Sequence, residues 1–130
     1  MPNSVHDRGG PMALYERAQA FIDDHLRDPD LSIDQISMAL GCSKRYLHML
    51  FSNRGLTVSE YIWRARLLNC RQDLETQRNK TITDVAFSWG FSSSSHFSRV
   101  FRKYFGIAPS SIHKARHGSL SPELLSRRLA

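Results

Sequence analysis

The chain is 130 residues long, 41% hydrophobic and 23% charged, with a formal net charge of +6. This bounds it to one globular domain, or two very small ones on a shared scaffold, and excludes a large multidomain enzyme. No apolar run approaches the roughly 18 residues that cross a bilayer, and the opening MPNSVHDRGG lacks the apolar core of a secretory signal, so a cytoplasmic protein without a membrane partner is expected.

The charge is unevenly placed. Residues 1–40 carry three Lys/Arg against seven Asp/Glu, whereas residues 41–130 carry fifteen against five, a balance of −4 followed by +10. A polyanion-facing region after residue 40 follows, with nucleic acid the first candidate and an acidic membrane surface the second. Cys42 and Cys70 lie 28 positions apart with no CxxC pairing, which argues for buried free thiols rather than a disulfide or a zinc knuckle.

In chain order, residues 1–11 mix Gly9, Gly10 and Pro11 with polar residues and suit a flexible leader or linker remnant. From Met12 to Arg27, Leu14, Ala18, Phe21 and Ile22 recur at helical spacing, and Pro29 lies just beyond as a stop signal. This first helix carries Asp23, Asp24 and Asp28 outward, so phosphates would repel it, and it is read as scaffold.

An internal repeat then emerges when Leu31–Tyr61 is laid over Lys80–Ile112. Ser32, Ile33, Gln35, Ile36, Leu40, Gly41, Cys42 and Ser43 meet Thr81, Ile82, Asp84, Val85, Trp89, Gly90, Phe91 and Ser92 at an offset of 49. Leu47, Leu50 and Phe51 meet Phe97, Val100 and Phe101 at 50, and Gly55 with Leu56 meets Gly106 with Ile107 at 51. In each copy a hydroxyl residue and a polar residue three positions on form a capping box, Ser32 with Gln35 and Thr81 with Asp84. Gly41 and Gly90 supply positive φ at the helix end, and Ser43 and Ser92 are expected to cap a second helix. The pattern is helix, tight turn, helix, twice.

Between the copies, Thr57 with Glu60 opens a long helix whose apolar positions are read as Val58, Tyr61, Ile62, Ala65 and Leu68 toward Leu74. About twenty residues span about 30 Å, close to the roughly 34 Å between successive major-groove faces on one side of DNA, so this helix is expected to act as a spacer. Pro109 and Ile112 mark a last short helix within Ala108–Arg116. The tail 117–130 is too short to build a core. The expected organisation is a leader 1–11, a double helix-turn-helix domain 12–116 (first unit about 31–56, connecting helix about 57–77, second unit about 81–116) and a tail 117–130.

In a helix-turn-helix unit the second helix enters the major groove, where all four base pairs are distinguishable. Subtracting core positions leaves Lys44, Arg45, His48, Met49 and Ser52 outward in the first copy, and Ser94, Ser95, Ser98, Arg99 and Arg102 in the second. Arg45 and Arg99 are the preferred base readers, because a guanidinium donates two parallel bonds to guanine O6 and N7. The short hydroxyls of Ser94, Ser95 and Ser98 let the backbone approach the groove. Lys44, Arg102 and Lys103 are expected to grip phosphates, together with helix-start N–H groups near Ser32, Thr81 and Ser110. Arg64 and Arg71 would grip phosphates if the connecting helix faces DNA, and are read equally well as solubilising charges.

His48 and His96 are weaker groove candidates. His113 and His117 are one turn apart, a spacing that binds metal, but no third ligand is near, and no metal or other cofactor is expected. Trp89, Phe91, Phe97, Phe101 and Phe105 fall at core spacing and are read as packing rather than a base-stacking platform. No GxSxG, GxxxxGK[ST] or HExxH occurs, no nucleophile–base pairing is evident, and an enzyme is not expected. The competing class is a helical protein-interaction module without base-specific binding.

On these residues, above all AFSWGFSSSSHFSRVFRKYFGIAPSSI (Ala86–Ile112) and less diagnostically SIDQISMALGCSKRYLHMLFSNRGLTVSEYI, the chain resembles the DNA-binding domain of the AraC/XylS family of transcription regulators over about Met12–Arg116. The resemblance implies an all-α array of seven helices, two helix-turn-helix units joined by a long connecting helix. It also implies binding to double-stranded promoter DNA and transcriptional activation, often by contact with RNA polymerase. Carried over residue by residue, the family's base-contacting positions fall on Arg45, His48 and Met49 and on Ser94, Ser95, Ser98 and Arg99. Met49 departs from the polar or basic residue usual there, so the first unit is expected either to read fewer bases or to read thymine methyls through apolar contact, and Ser37 stands where alanine is usual. Most members add an effector-binding or dimerisation domain. No small-molecule site is evident here, so a fragment of a longer regulator is expected, with a stand-alone monomer as the alternative.

Overall fold

The computed structural model describes residues 10–77 and 79–112, and among these every regular element is a helix. We label them α1 (Gly10–Asp24), α2 (Ile33–Leu40), α3 (Lys44–Ser52), α4 (Val58–Thr76), α5 (Ile82–Ser88) and α6 (Ser94–Phe105). A further helical stretch begins at 109 and is described as far as 112. The all-α class and the doubled helix-turn-helix expected from the repeat are what the structure shows. The chain divides into two compact units between Arg66 and Leu67, so α4 contributes its first half to one and its second half to the other.

In the first unit, α1 begins at Gly10, two residues before the expected start, with Pro11 in the first turn, where its missing N–H costs nothing. Leu14, Ala18 and Ile22 are buried as the periodicity required, joined by Tyr15 and by Leu26 past the helix end. The Tyr15 ring meets Phe51 edge-on at 4.9 Å, and Phe51 meets Tyr61 at 5.6 Å. These rings join α1, α3 and α4 around Ile36, Leu47 and Leu50, all buried. The Arg54 guanidinium lies over the Tyr15 ring at 4.0 Å and donates to the Leu50 carbonyl.

Beyond α1 the chain turns at Asp28, whose Oδ1 accepts the Asp30 N–H at 2.8 Å. Buried Arg66 organises this turn from α4: its Nε donates to the Leu26 carbonyl at 2.9 Å and an Nη to the Asp28 carbonyl at 2.7 Å. Carbonyls of the turn that follows the helix thereby receive a charged donor inside the protein.

The second unit packs Val85 and Ala86 of α5 and Phe97 and Phe101 of α6 against Leu67, Cys70 and Leu74 of α4, all essentially sealed from solvent. Phe91, Phe97, Phe101 and Phe105 form a chain of ring contacts at 5.1, 5.5 and 4.6 Å, which is the packing role expected of them. The Trp89 indole N–H donates to Asp73 Oδ2 at 2.7 Å, tying the end of α5 to α4.

The caps follow the repeat with two corrections. Ser32 and Gln35 form a full capping box, as do Thr57 and Glu60. At Thr81 the hydroxyl accepts the Asp84 amide, but no reciprocal bond forms, since aspartate is one methylene shorter than glutamine. Ser43 caps α3, but α6 is capped by Ser93, not Ser92, its hydroxyl accepting the His96 amide at 3.1 Å. The extra residue therefore lies in the turn after Gly90, and the offset of 50 begins at the cap. Gly41 and Gly90 hold φ of 70° and 93°, the left-handed backbone both turns need.

The buried side of α4 also departs from expectation. Leu68 is 51% exposed, and Leu67 is buried in its place. Buried positions advance in steps of four through Val58, Ile62, Arg66, Cys70 and Leu74, a row that precesses about 40° per step around a helix of 3.6 residues per turn. A fixed apolar stripe misses this drift, and the charge of Arg66 conceals one of its members. Cys42 is half-buried rather than buried, and burial pushes its thiol up from the usual value.

Candidate nucleic-acid interface

The outward face of each second helix is set by what its inward face buries. In α3, Leu47, Leu50 and Phe51 point inward, leaving Lys44, Arg45, His48, Met49 and Ser52 exposed. In α6, Phe97 and Phe101 point inward, leaving Ser94, Ser95, Ser98, Arg99 and Arg102 exposed. The cap correction makes these two sets superpose at one offset of 50: Lys44 on Ser94, Arg45 on Ser95, His48 on Ser98, Met49 on Arg99, Ser52 on Arg102.

The two faces distribute charge in opposite senses along their helices. The first carries its cations at the start, Lys44 and Arg45, and ends in the neutral pair Met49 and Ser52. The second starts with serines and carries Arg99 at its middle and Arg102 and Lys103 in the last turn, where the helix dipole favours them. Serines at the start of α6 add no bulk beyond a hydroxyl, and Ser94 and Ser95 are exposed beside the Ser93 cap.

Several candidates are held by partners within the protein. Lys44 Nζ lies 2.9 Å from Asp34 Oδ1, an ion pair linking α2 and α3. Opposite charges ten residues apart carry no local signal, because neither the i,i+3 nor the i,i+4 rule reaches them. The Ser52 hydroxyl donates to the Met49 carbonyl at 3.3 Å. The N–H of Ser32, considered as an anion donor, is taken by Gln35 Oε1 at 3.1 Å. Arg71 donates to Glu75 at 3.2 Å and lies over the Phe105 ring at 4.8 Å, so it is engaged inside its own unit. The exposed His96 has its ring 6.1 Å from that of Phe91. Ser110 is exposed beside buried Pro109, whereas His113 and His117 lie outside the described residues. Ser37 donates to the Asp34 carbonyl at 3.1 Å, so the hydroxyl in place of alanine finds a partner within its own helix.

What such faces can do chemically is limited and specific. Guanidinium forks, hydroxyls and an imidazole can bond base edges and phosphates, and no described helix is long and apolar enough to cross a membrane.

Comparison with known proteins places this geometry. The model of a helix-turn-helix domain family matches residues 36–115. Among characterised proteins, the transcriptional activator NphR of Rhodococcus is 39% identical over 105 residues, covering 79% of this chain and 31% of its own. The HTH-type transcriptional activator RhaS of Escherichia coli is 36% identical over 102 residues, covering 78% and 36%. This chain thus spans about a third of the length of these relatives. Among solved structures, an AraC-type transcriptional regulator from Chromobacterium violaceum superposes with a TM-score of 0.70 at 34% identity, over 76% of this chain and 88% of its own. A probable AraC family regulator from Rhodopseudomonas palustris gives 0.71 at 27%, over 78% and 94%.

Proposed function

Because the chain belongs to the AraC/XylS family of helix-turn-helix transcription regulators, we propose that it binds promoter DNA sequence-specifically and activates transcription, with α3 and α6 entering successive major-groove segments. The observation that carries this reading is the pair of outward helix faces in one register, each bearing exposed arginine on a helix whose opposite side is core. Base edges are contacted by Arg45, His48 and Met49 from the first unit and by Ser94, Ser95, Ser98 and Arg99 from the second. Phosphates are held by Lys44, Arg102, Lys103 and Ser110. Lys44 serves only by leaving or sharing Asp34. Activation is the role that the likeness to the activators NphR and RhaS supports; contact with RNA polymerase, in the cytoplasm, is the route to it that the reading adds.

Selection of bound duplexes from a random DNA pool, followed by titration in increasing salt, tests this. Two half-motifs about one helical turn apart are expected, with a log–log salt slope of about −5 to −8 for roughly six to nine phosphate contacts. Arg99→Ala should weaken binding by about 1–3 kcal/mol and erase discrimination at one base pair. A slope near zero and no base-selective loss in Arg99→Ala would support a protein-interaction module instead.

A further inference from the structure

We propose that Met49 reads the C5-methyl group of a thymine, so that the first unit's half-site is recognised partly by apolar contact at the position where the second unit uses Arg99. The inference rests on the DNA-binding reading above and concerns the base chemistry at one of its positions.

Met49 is 46% exposed, on the outward face of α3, one turn after Arg45 and next to His48. It is not a spare core residue: the inward positions of α3 are filled by Leu47, Leu50 and Phe51, each at most 1% exposed. Arg99 occupies the same register in α6 and is likewise exposed, so the position points outward in both copies.

The chemistry of the side chain decides what it can complement. A thioether has no donor and only a weak acceptor, so it cannot bond guanine N7 and O6 or thymine O4, which are acceptors. Of its neighbours, Ser52 donates its hydroxyl to the Met49 carbonyl and Lys44 pairs with Asp34, while Arg45 and His48 are assigned base edges of their own. Of the features that unmodified base pairs display in the major groove, the thymine C5-methyl is the apolar group that projects into it, where cytosine has only a C5–H. An unbranched, polarisable side chain can follow such a methyl across the groove floor, and contact removes apolar surface of both partners from water.

Deoxyuridine in place of thymine deletes this methyl and changes no hydrogen-bonding group, which supplies the test. Each thymine of the half-site that Arg45→Ala relaxes, in a duplex selected by the full 130-residue chain, is replaced in turn and the dissociation constant measured. One replacement is expected to weaken the wild-type chain about fourfold, the equivalent of one buried methyl group. Met49→Gln should lose that sensitivity, and Met49→Leu, apolar and of similar size, should retain it. If no replacement affects the wild type, or if the effect is unchanged in Met49→Gln, the assignment to Met49 is overturned. Failure of the wild-type chain to select any duplex would overturn the DNA-binding reading itself, a distinct result.

Discussion

Asp34, in the first turn of α2, holds Lys44, the first residue of α3, across the turn between them with 2.9 Å separating carboxylate and ammonium. The pair is exposed, 56% at the lysine and 68% at the aspartate, so its worth to folding is at most about 1 kcal/mol. Its consequence for binding is larger, because a carboxylate at the start of a recognition helix repels phosphate and competes for the cation meant to hold it. The corresponding residues of the second copy, Thr83 and Ser94, carry no charge. Asp34→Asn is therefore expected to tighten DNA binding several-fold at low salt and to steepen the log–log salt slope by up to about one, with thermal stability nearly unchanged. Weaker binding by Asp34→Asn would instead mean that the carboxylate positions Lys44 for its contact.

The caps make a second prediction, sharp because it separates adjacent residues of one type. Ser93 accepts the His96 amide, and Ser92 is exposed beside it. Ser93→Ala should cost about 1 kcal/mol in urea unfolding, as should Ser43→Ala, whose hydroxyl accepts the Tyr46 amide. Ser92→Ala should stay within about 0.5 kcal/mol.

A third concerns Arg66. Its guanidinium serves two carbonyls at once, so Arg66→Met keeps the apolar stem but takes the charged donor from the Leu26 carbonyl and leaves the Asp28 carbonyl with the Leu31 N–H alone. The expected loss is about 2–4 kcal/mol of folding stability, read by chemical denaturation. Arg66→Lys should recover only part of it, because one ammonium lacks the planar fork that meets both oxygens.

The fourth is a pH dependence. Burial pushes the Tyr61 phenol up to about 12, and the Asp23 carboxylate, which accepts its hydroxyl at 3.2 Å, adds to the effect. A folded value above the unfolded one near 10 means that the protonated phenol stabilises the fold fully below pH about 10, and that this is lost as pH rises through about 12. Burial likewise raises the Asp23 carboxyl, so its protonated form favours folding below its usual value of 3.8. The melting temperature should accordingly fall more between pH 10 and 12 for the wild type than for Tyr61→Phe. Equal falls would show that another group governs the alkaline limb.

Much of the candidate interface was legible because helical period and core demand are complementary. Once Leu47, Leu50 and Phe51, or Phe97 and Phe101, are assigned inward, the remaining positions must face out, and Arg45, His48, Met49, Ser94, Ser95, Ser98 and Arg99 do. Less was legible about what those residues touch. The Lys44–Asp34 pair and the engagement of Arg71 with Glu75 and Phe105 depend on side-chain choices among several near-equal partners.

The amino-acid sequence by itself determined the doubled helix-turn-helix, since its signals act over a few residues: a hydroxyl finds the amide three positions on, and a glycine takes positive φ without a neighbour's help. Tertiary structure alone decided which serine caps α6, that Leu67 rather than Leu68 is buried, and that a charged residue, Arg66, occupies an interior position of α4. Those outcomes depend on packing between segments as far apart as Leu26 and Arg66, where a one-residue rotation or a buried charge is settled by which carbonyls and apolar surfaces the other elements bring within reach.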